Sequence, residues 1–280
     1  MSDAIRFLKG HGTENDFVLL PDPDGALGQP SSTLVRALCD RRAGLGADGV
    51  MRVVRTTATD DPAAHASRDR AEWFMDYLNA DGSTSQMCGN GIRVFAEHLR
   101  AEGLIDVSEP LAVATRGGVR TLTWDGAAFV VDMGRPVVAD ERTWVEVDGH
   151  QWSATHVSMG NPHAVAFVDD LAEAGSLLEP PAHDAGVYPD GVNVEFVVRR
   201  GERHVAMRVH ERGSGETRSC GTGACAAMVA SAVADGRGPG SSYVVDVPGG
   251  RLEVTWTPDG RVLLSGPAVL VAEGYWFDGR

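Results

Sequence analysis

The sequence predicts an α/β (α+β) fold of two pseudo-symmetric domains, each a mostly antiparallel sheet wrapped around a central helix. Three observations predict it. The chain resembles itself at one fixed offset, each copy holds one clear helix directly after a cysteine set among glycines, and the remainder alternates apolar and polar residues between glycine-rich breaks.

A shift of 132 residues carries Cys88, Gly89 and Gly91 onto Cys220, Gly221 and Gly223, so that CGNG recurs as CGTG. The register persists downstream, where Gly117 and Gly118 fall on Gly249 and Gly250, Thr123 and Trp124 on Thr255 and Trp256, and Gly134 on Gly266. Looser echoes lie upstream: ADGV at 47–50 against PDGVN at 189–193, and HGTEND near Asn15 against MGNPH near Asn161. A period this long, present twice, excludes a solenoid of small units and points to two comparable domains. The first is expected to comprise residues 1–132 with 267–280 and to carry Cys88; the second, residues 133–266, carries Cys220. The tail goes to the first because PAVLVAEGYW after Gly266 parallels the segment after Gly134, a third copy of a half's opening strand.

In chain order, the stretch TTATDDPAAHASRDR at 56–70 lacks periodicity and large apolar groups and reads as a surface loop insertion. Ile92, Phe95, Ala96 and Leu99 then fall at i, i+3, i+4 and i+7, with Arg93, Glu97 and Arg100 on the other side; this predicts an amphipathic helix that Gly103 ends. RTLTWDGAAFVVDM, THVSMGNPHAVAFV, VNVEFVVRRG and HVAMRVHER read as strands with turns. Ala224 to Ala234 is apolar all round, which predicts a helix enclosed by sheet. YVVDVPGGRLEVTW and RVLLSGPAVLVA complete the strands, and strands so frequent with so few helices imply mostly antiparallel pairing.

The 280 residues include 25 Lys or Arg and 39 Asp or Glu, a formal charge of −14, with 43% apolar residues. That balance argues against a nucleic-acid binder and against disorder. No apolar run approaches the ~20 residues that span a bilayer, and MSDAIRFLKG has no stretch suited to a secretory signal, so the chain is expected in the cytoplasm. Its four cysteines, Cys39, Cys88, Cys220 and Cys225, are expected there as free thiols.

Cys88 and Cys220 hold equivalent positions, each before a glycine-rich turn that opens a helix, so two such domains would present two thiols across a cleft. A thiol at a helix start is expected to have its pKa lowered from ~8.5, because exposed N–H groups and aligned peptide dipoles favour thiolate. The same N–H groups can hold a carboxylate, which glycine lets approach the backbone closely. A carboxylate held this way, with one sulfur on each side of the neighbouring carbon, suits stereochemical inversion, which needs a base on one face and an acid on the other. On the residues alone three readings compete: a Cys88–Cys220 disulfide, a zinc site, or core burial, the last being the reading of Cys39 and Cys225. GSGETRSCGTG has no following Lys-Ser or Lys-Thr and is no P-loop, and no GxSxG marks a serine hydrolase.

The runs MCGNGIRVFAEHL from Met87, MGNPHAVAFV from Met159 and HERGSGETRSCGTGACAA from His210 closely resemble those of diaminopimelate epimerases. KGHGTENDFVLL near the start, YLNADGS at 77–83 and GVNVEF at 191–196 extend the resemblance over nearly the whole chain. It implies a diaminopimelate epimerase-like fold and interconversion of LL- and meso-diaminopimelate, with no cofactor and no metal, on the route to lysine and peptidoglycan precursors. It implies Cys88 and Cys220 as the acid/base pair, His163 and Glu211 as further catalytic residues, and Gly89, Asn90, Gly221 and Thr222 as the carboxylate cradle. Asn15, Asn79, Asn161, Asn193, Glu211 and Arg212 are the other substrate-binding matches. Arg212 suits a distal carboxylate and Glu211 a distal ammonium, while the asparagines orient both without adding charge. The implied partners are the small-molecule substrate and a second copy in a homodimer, with no nucleic acid and no membrane. Two positions depart from the pattern: Glu14 stands where glycine usually precedes Asn-Asp-Phe, and Gly49 where many members carry glutamine. A proline or hydroxyproline racemase would share the thiols but not the charged distal pocket, and a redox switch would use the cysteines without turnover.

Overall fold

Alternating apolar residues drive most of the chain into strands, and the strands pair in one pattern that occurs twice. A computed structural model describes residues 4–277; residues 1–3 and 278–280 of the expected first domain lie outside them. The chain divides into two units, one running to Val131 and resuming at Pro267, the other Asp132–Gly266. The first begins with β1 (Ile5–Gly12), β2 (Asn15–Pro21), α1 (Ser32–Cys39), β3 (Gly49–Arg55) and the short α2 (Pro62–His65). It continues with β4 (Trp73–Asn79), α3 (Gly89–Ala101), β5 (Leu111–Thr115), β6 (Gly118–Trp124) and β7 (Phe129–Gly134), which runs across the boundary. The second holds β8 (Val137–Val147), β9 (His150–Ser158), β10 (Pro162–Phe167), β11 (Ala182–His183), β12 (Asn193–Gly201), β13 (His204–Glu211) and β14 (Gly215–Thr217). After these come α4 (Gly221–Ala234), β15 (Ser241–Val247), β16 (Gly250–Trp256) and β17 (Val262–Ser265). The last strand, β18 (Val269–Trp276), pairs antiparallel with β1.

In the first unit the strands lie in the order β18-β1-β2-β3-β4-β5-β6-β7, with β2–β3 and β4–β5 parallel and the other neighbours antiparallel. In the second they lie β8-β9-β10-β12-β13-β15-β16-β17, with β10–β12 and β13–β15 parallel and the rest antiparallel. Parallel neighbours require a crossover, and α3 and α4 supply one for β4–β5 and one for β13–β15. Each central helix is therefore fixed against its own sheet by chain connectivity. α3 packs on β1, β2, β3 and β18, burying Ile92, Val94, Phe95, Ala96 and Leu99. α4 packs on β9, β10, β12, β13, β15, β16 and β17 and is buried continuously from Ala224 to Ala232, since it has no polar face to present. Among the described residues no helix is long and apolar enough to cross a membrane.

Two expectations are corrected. The 56–70 stretch is not a bare surface loop: it holds a 3₁₀ turn at 56–58 and α2, and Ala64 is fully buried in a cluster with Val54, Ala71, Phe74 and Ala114. Capping suffices there without an apolar period, because the Asp61 side chain accepts from Ala63 N and Pro62 is preset for the first turn. Arg93, assigned by periodicity to the solvent side of α3, is wholly buried at 0% exposure. Its guanidinium folds back to donate to Gly89 O and Asn90 Oδ1, both at 2.9 Å, so the helix's own first turn takes up the charge.

Candidate active site

The family-matched residues fall into one group per unit, gathered mainly about the start of that unit's central helix. In the first, Cys88 has extended backbone (φ −135°, ψ 121°) and caps α3, its Sγ accepting from Gly91 N at 3.4 Å. The half-buried thiol donates to Asn15 Oδ1 at 3.5 Å, and Asn90 Nδ2 donates to the same oxygen at 3.4 Å. Asn15 is oriented in turn by donating Nδ2 to Asp48 at 2.6 Å. Asn79, at the end of β4, is engaged elsewhere: its side chain donates to Ser83 Oγ at 3.0 Å and holds the following turn. The space under Gly91 is apolar, with Met51 Sδ 3.1 Å and the Phe17 ring 3.4 Å from where a Cβ would stand.

In the second unit Cys220 caps α4 in the same way, Sγ accepting from Gly223 N at 3.3 Å. A polar chain leads away from it. Thr222 Oγ1 lies 3.5 Å from Cys220 Sγ and accepts from Asn161 Nδ2 at 3.3 Å; Asn161 Oδ1 faces His163 Nε2 at 3.1 Å; and His163 Nδ1 meets Glu195 Oε1 at 2.6 Å. Glu211 accepts from Thr217 Oγ1 and hydrogen-bonds the Cys220 thiol. Asn193 is held by backbone on both sides, donating to Pro162 O at 3.1 Å and accepting from Arg212 N at 2.9 Å. This fixes the main chain at Arg212, whose exposed side chain donates to Asp190 O at 3.3 Å.

The expectation of a lowered thiol is overturned at Cys220. Burial pushes this thiol well above its usual range, and the charges of Glu211 and Glu195 push the same way, outweighing the Thr222 and Gly223 hydrogen bonds. Burial likewise raises Glu211, against the pull of Thr217 and Cys220. Cys39 and Cys225 are buried, and burial lifts the Cys39 thiol to about 11. None of the four cysteines is in a disulfide.

The departure at Gly49 has a structural reason and that at Glu14 has none. Thr13 and Glu14 form the two-residue turn between the paired Gly12 and Asn15, with φ of 49° and 61°, so position 14 takes the left-handed conformation that glycine adopts freely. At Gly49 a Cβ would stand 2.5 Å from both Leu78 O and the Tyr77 ring, so the backbone leaves no room for glutamine. Sequence reasoning missed Asp48, the Arg93 contact and Glu195. Glu195 had a signal: it is the one charge in VNVEFVV, a run otherwise suited to a strand buried on both faces.

A family model described as diaminopimelate epimerase matches residues 7–139 and 155–271. The diaminopimelate epimerase of Streptomyces coelicolor is 57% identical over 290 aligned positions, covering 100% of this chain and 99% of that protein. Among solved structures, a Bacillus anthracis phenazine biosynthesis protein of the PhzF family matches with a TM-score of 0.70 at 16% identity, covering 98% of this chain and 99% of the other. A hydroxyproline epimerase from Agrobacterium vitis matches with a TM-score of 0.69 at 18% identity, covering 98% and 92%. These two likenesses concern the fold.

Proposed function

The chain belongs to the diaminopimelate epimerase family and is an isomerase of that kind, and from this premise we propose that it inverts the α-carbon of diaminopimelate by two-base proton transfer between Cys88 and Cys220. One sulfur, as thiolate, takes the α-proton; the other, as thiol, delivers a proton to the opposite face and leaves as thiolate. Between the two steps the α-carbon is planar and charge moves onto its carboxylate. The main-chain N–H groups of Gly89, Asn90, Gly221 and Thr222, in the first turns of α3 and α4, are suited to meet that charge. Asn15, Asn79, Asn161 and Asn193 orient the substrate, Glu211 takes an ammonium, and Arg212, held at its backbone by Asn193, takes the distal carboxylate. On this reading the protein works in the cytoplasm, where its thiols stay reduced.

The observation that carries the reading is the recurrence of one device: a cysteine caps each central helix and accepts from the amide three residues on. The test is α-deuterium incorporation in heavy water, comparing LL-diaminopimelate with L-proline. The expected result is exchange with inversion into diaminopimelate alone, falling on the order of 10³-fold in Cys88→Ala and in Cys220→Ala. Exchange into proline instead would favour a racemase of cyclic amino acids. Near wild-type epimerisation by either variant would remove the two-thiol mechanism.

A further inference from the structure

The two units fill the space beneath their catalytic turns with opposite chemistry. Phe17 faces Gly49 across the parallel β2–β3 pair, and His163 faces Asn193 across the equivalent β10–β12 pair. Two residues further along β3 and β12 stand Met51 and Glu195, which pair with Leu19 and Val165 respectively. Phe17 and Met51 are thus the counterparts of His163 and Glu195. Met51 Sδ and Phe17 Cζ approach the Cβ position of Gly91, and Glu195 Oε1 approaches that of Gly223, at 2.8 Å, with Cys220 Sγ 3.3 Å from the same point.

Packing does not explain the polar version. His163 and Glu195 are both at 0% exposure, and Glu195 Oε2 has no hydrogen-bond partner among the described residues. Burying such a pair in place of apolar side chains carries a desolvation cost, and the apolar solution is already present in the other unit. The geometry points to Glu195 as a positioning residue for proton transfer at Cys220: it fixes the His163 imidazole through Nδ1, so that Nε2 addresses Cys220 through Asn161 and Thr222. A carboxylate on one ring nitrogen sets the ring's orientation and the chemistry of the other nitrogen. The carboxylate also sets the charge beside the thiol. The titratable groups packed around Cys220 and this dyad are Glu211 on β13, His156 on β9 and Tyr188 in the segment before β12. None of these substitutes for the Glu195 contact to Nδ1.

The inference rests on the reading that Cys220 transfers a proton, and the experiment separates the two. Glu195→Gln keeps the shape and removes the charge; Glu195→Met with His163→Phe transplants the packing of the first unit. Both are expected to fold, judged by thermal unfolding. Glu195→Gln is expected to lower kcat at least ~10-fold with KM within ~3-fold. The pH midpoint for alkylation of Cys220, read by peptide mass spectrometry, is expected to move down while that of Cys88 stays. Because the effect of Glu195 on kcat runs through His163, and only its effect on the Cys220 midpoint is direct, adding Glu195→Met to His163→Phe is expected to cost no further kcat. A kcat within twofold of wild type in Glu195→Gln, an unmoved Cys220 midpoint, or full additivity with His163→Phe would overturn the proposal. So would failure of both variants to fold, which would make the pair structural. Turnover surviving in Cys220→Ala would instead overturn the two-thiol reading beneath it.

Discussion

The start of α3 and the start of α4 share backbone, cap and cysteine, yet they are charged in opposite senses. Arg93 lies buried in the first turns of α3; 132 residues on, the same place in α4 is the buried Cys225. Met51 lies beneath Gly91 where Glu195 lies beneath Gly223, and Glu211 adds a second carboxylate beside Cys220. The cap geometry is therefore independent of the filling, since each cysteine accepts from the third amide of its helix in either setting. Two thiols with the same covalent chemistry then meet different surroundings: the Arg93 cation within the Cys88 turn, with Asp48 kept behind Asn15, against the Glu211 and Glu195 carboxylates beside the Cys220 thiol. The acid/base pair proposed for these thiols needs its members in opposite protonation states, and asymmetric surroundings are a physical means of arranging that.

Three changes break or sharpen this contrast. The largest effect is expected from Arg93→Met, which takes the charged donor from Asn90 Oδ1 and leaves an uncharged side chain there, as Cys225 is at the equivalent place in α4. A cost of about 2–3 kcal/mol in urea unfolding is expected, with loss of hydrogen-exchange protection confined to the first unit. Unchanged stability would mean that the cation is not part of that turn's structure. Next is the alkaline limb of stability. The Cys220 thiol is raised in the folded state, so its contribution is complete below the unfolded thiol range near pH ~8.5 and is lost as pH rises above it. Burial raises Cys39 and Tyr243 as well, so Cys220→Ala is expected to lessen the fall in melting temperature above pH ~8.5 without abolishing it. An identical limb in wild type and variant would contradict the role given to Cys220's surroundings. The smallest effect concerns the turns before β2 and β10. Glu14 has φ 61° in the first, where the second has Gly160 at φ 97°. Glu14→Gly, which makes the turns alike, is expected to raise stability by up to about 1 kcal/mol while leaving kcat unchanged. A lower melting temperature would show that the Glu14 side chain contributes more than its backbone conformation costs.

Much of the fold was legible because its requirements are local. A cysteine that caps a helix, glycines that admit close backbone approach and alternating strands each leave a pattern within a few residues, and a repeated pattern reveals a repeated unit. Apolar Ala224–Ala234 reads as an enclosed helix and is enclosed as far as Ala232, with Val233 and Ala234 exposed, and the residues around Asn15, Asn161 and Cys220 could be matched to a family because their motifs are contiguous. The 56–70 stretch was harder to read, since an uncapped 3₁₀ turn and one short capped helix bury Thr56, Ala64 and Ser67 without any apolar period.

The sequence by itself determined the two-fold repetition, the place of a cysteine at each helix start and the strand-rich class, because each follows from steric and hydrogen-bonding demands on neighbouring residues. Only the tertiary structure decided which way Arg93 turns, that Glu195 reaches His163 across 32 residues of chain, and that Cys220 is raised rather than lowered. Charge and burial act through space, and the partner that sets a side chain's energy stands on another strand. A helix start favours thiolate in isolation; packed beneath a sheet with two carboxylates, the same start favours the thiol.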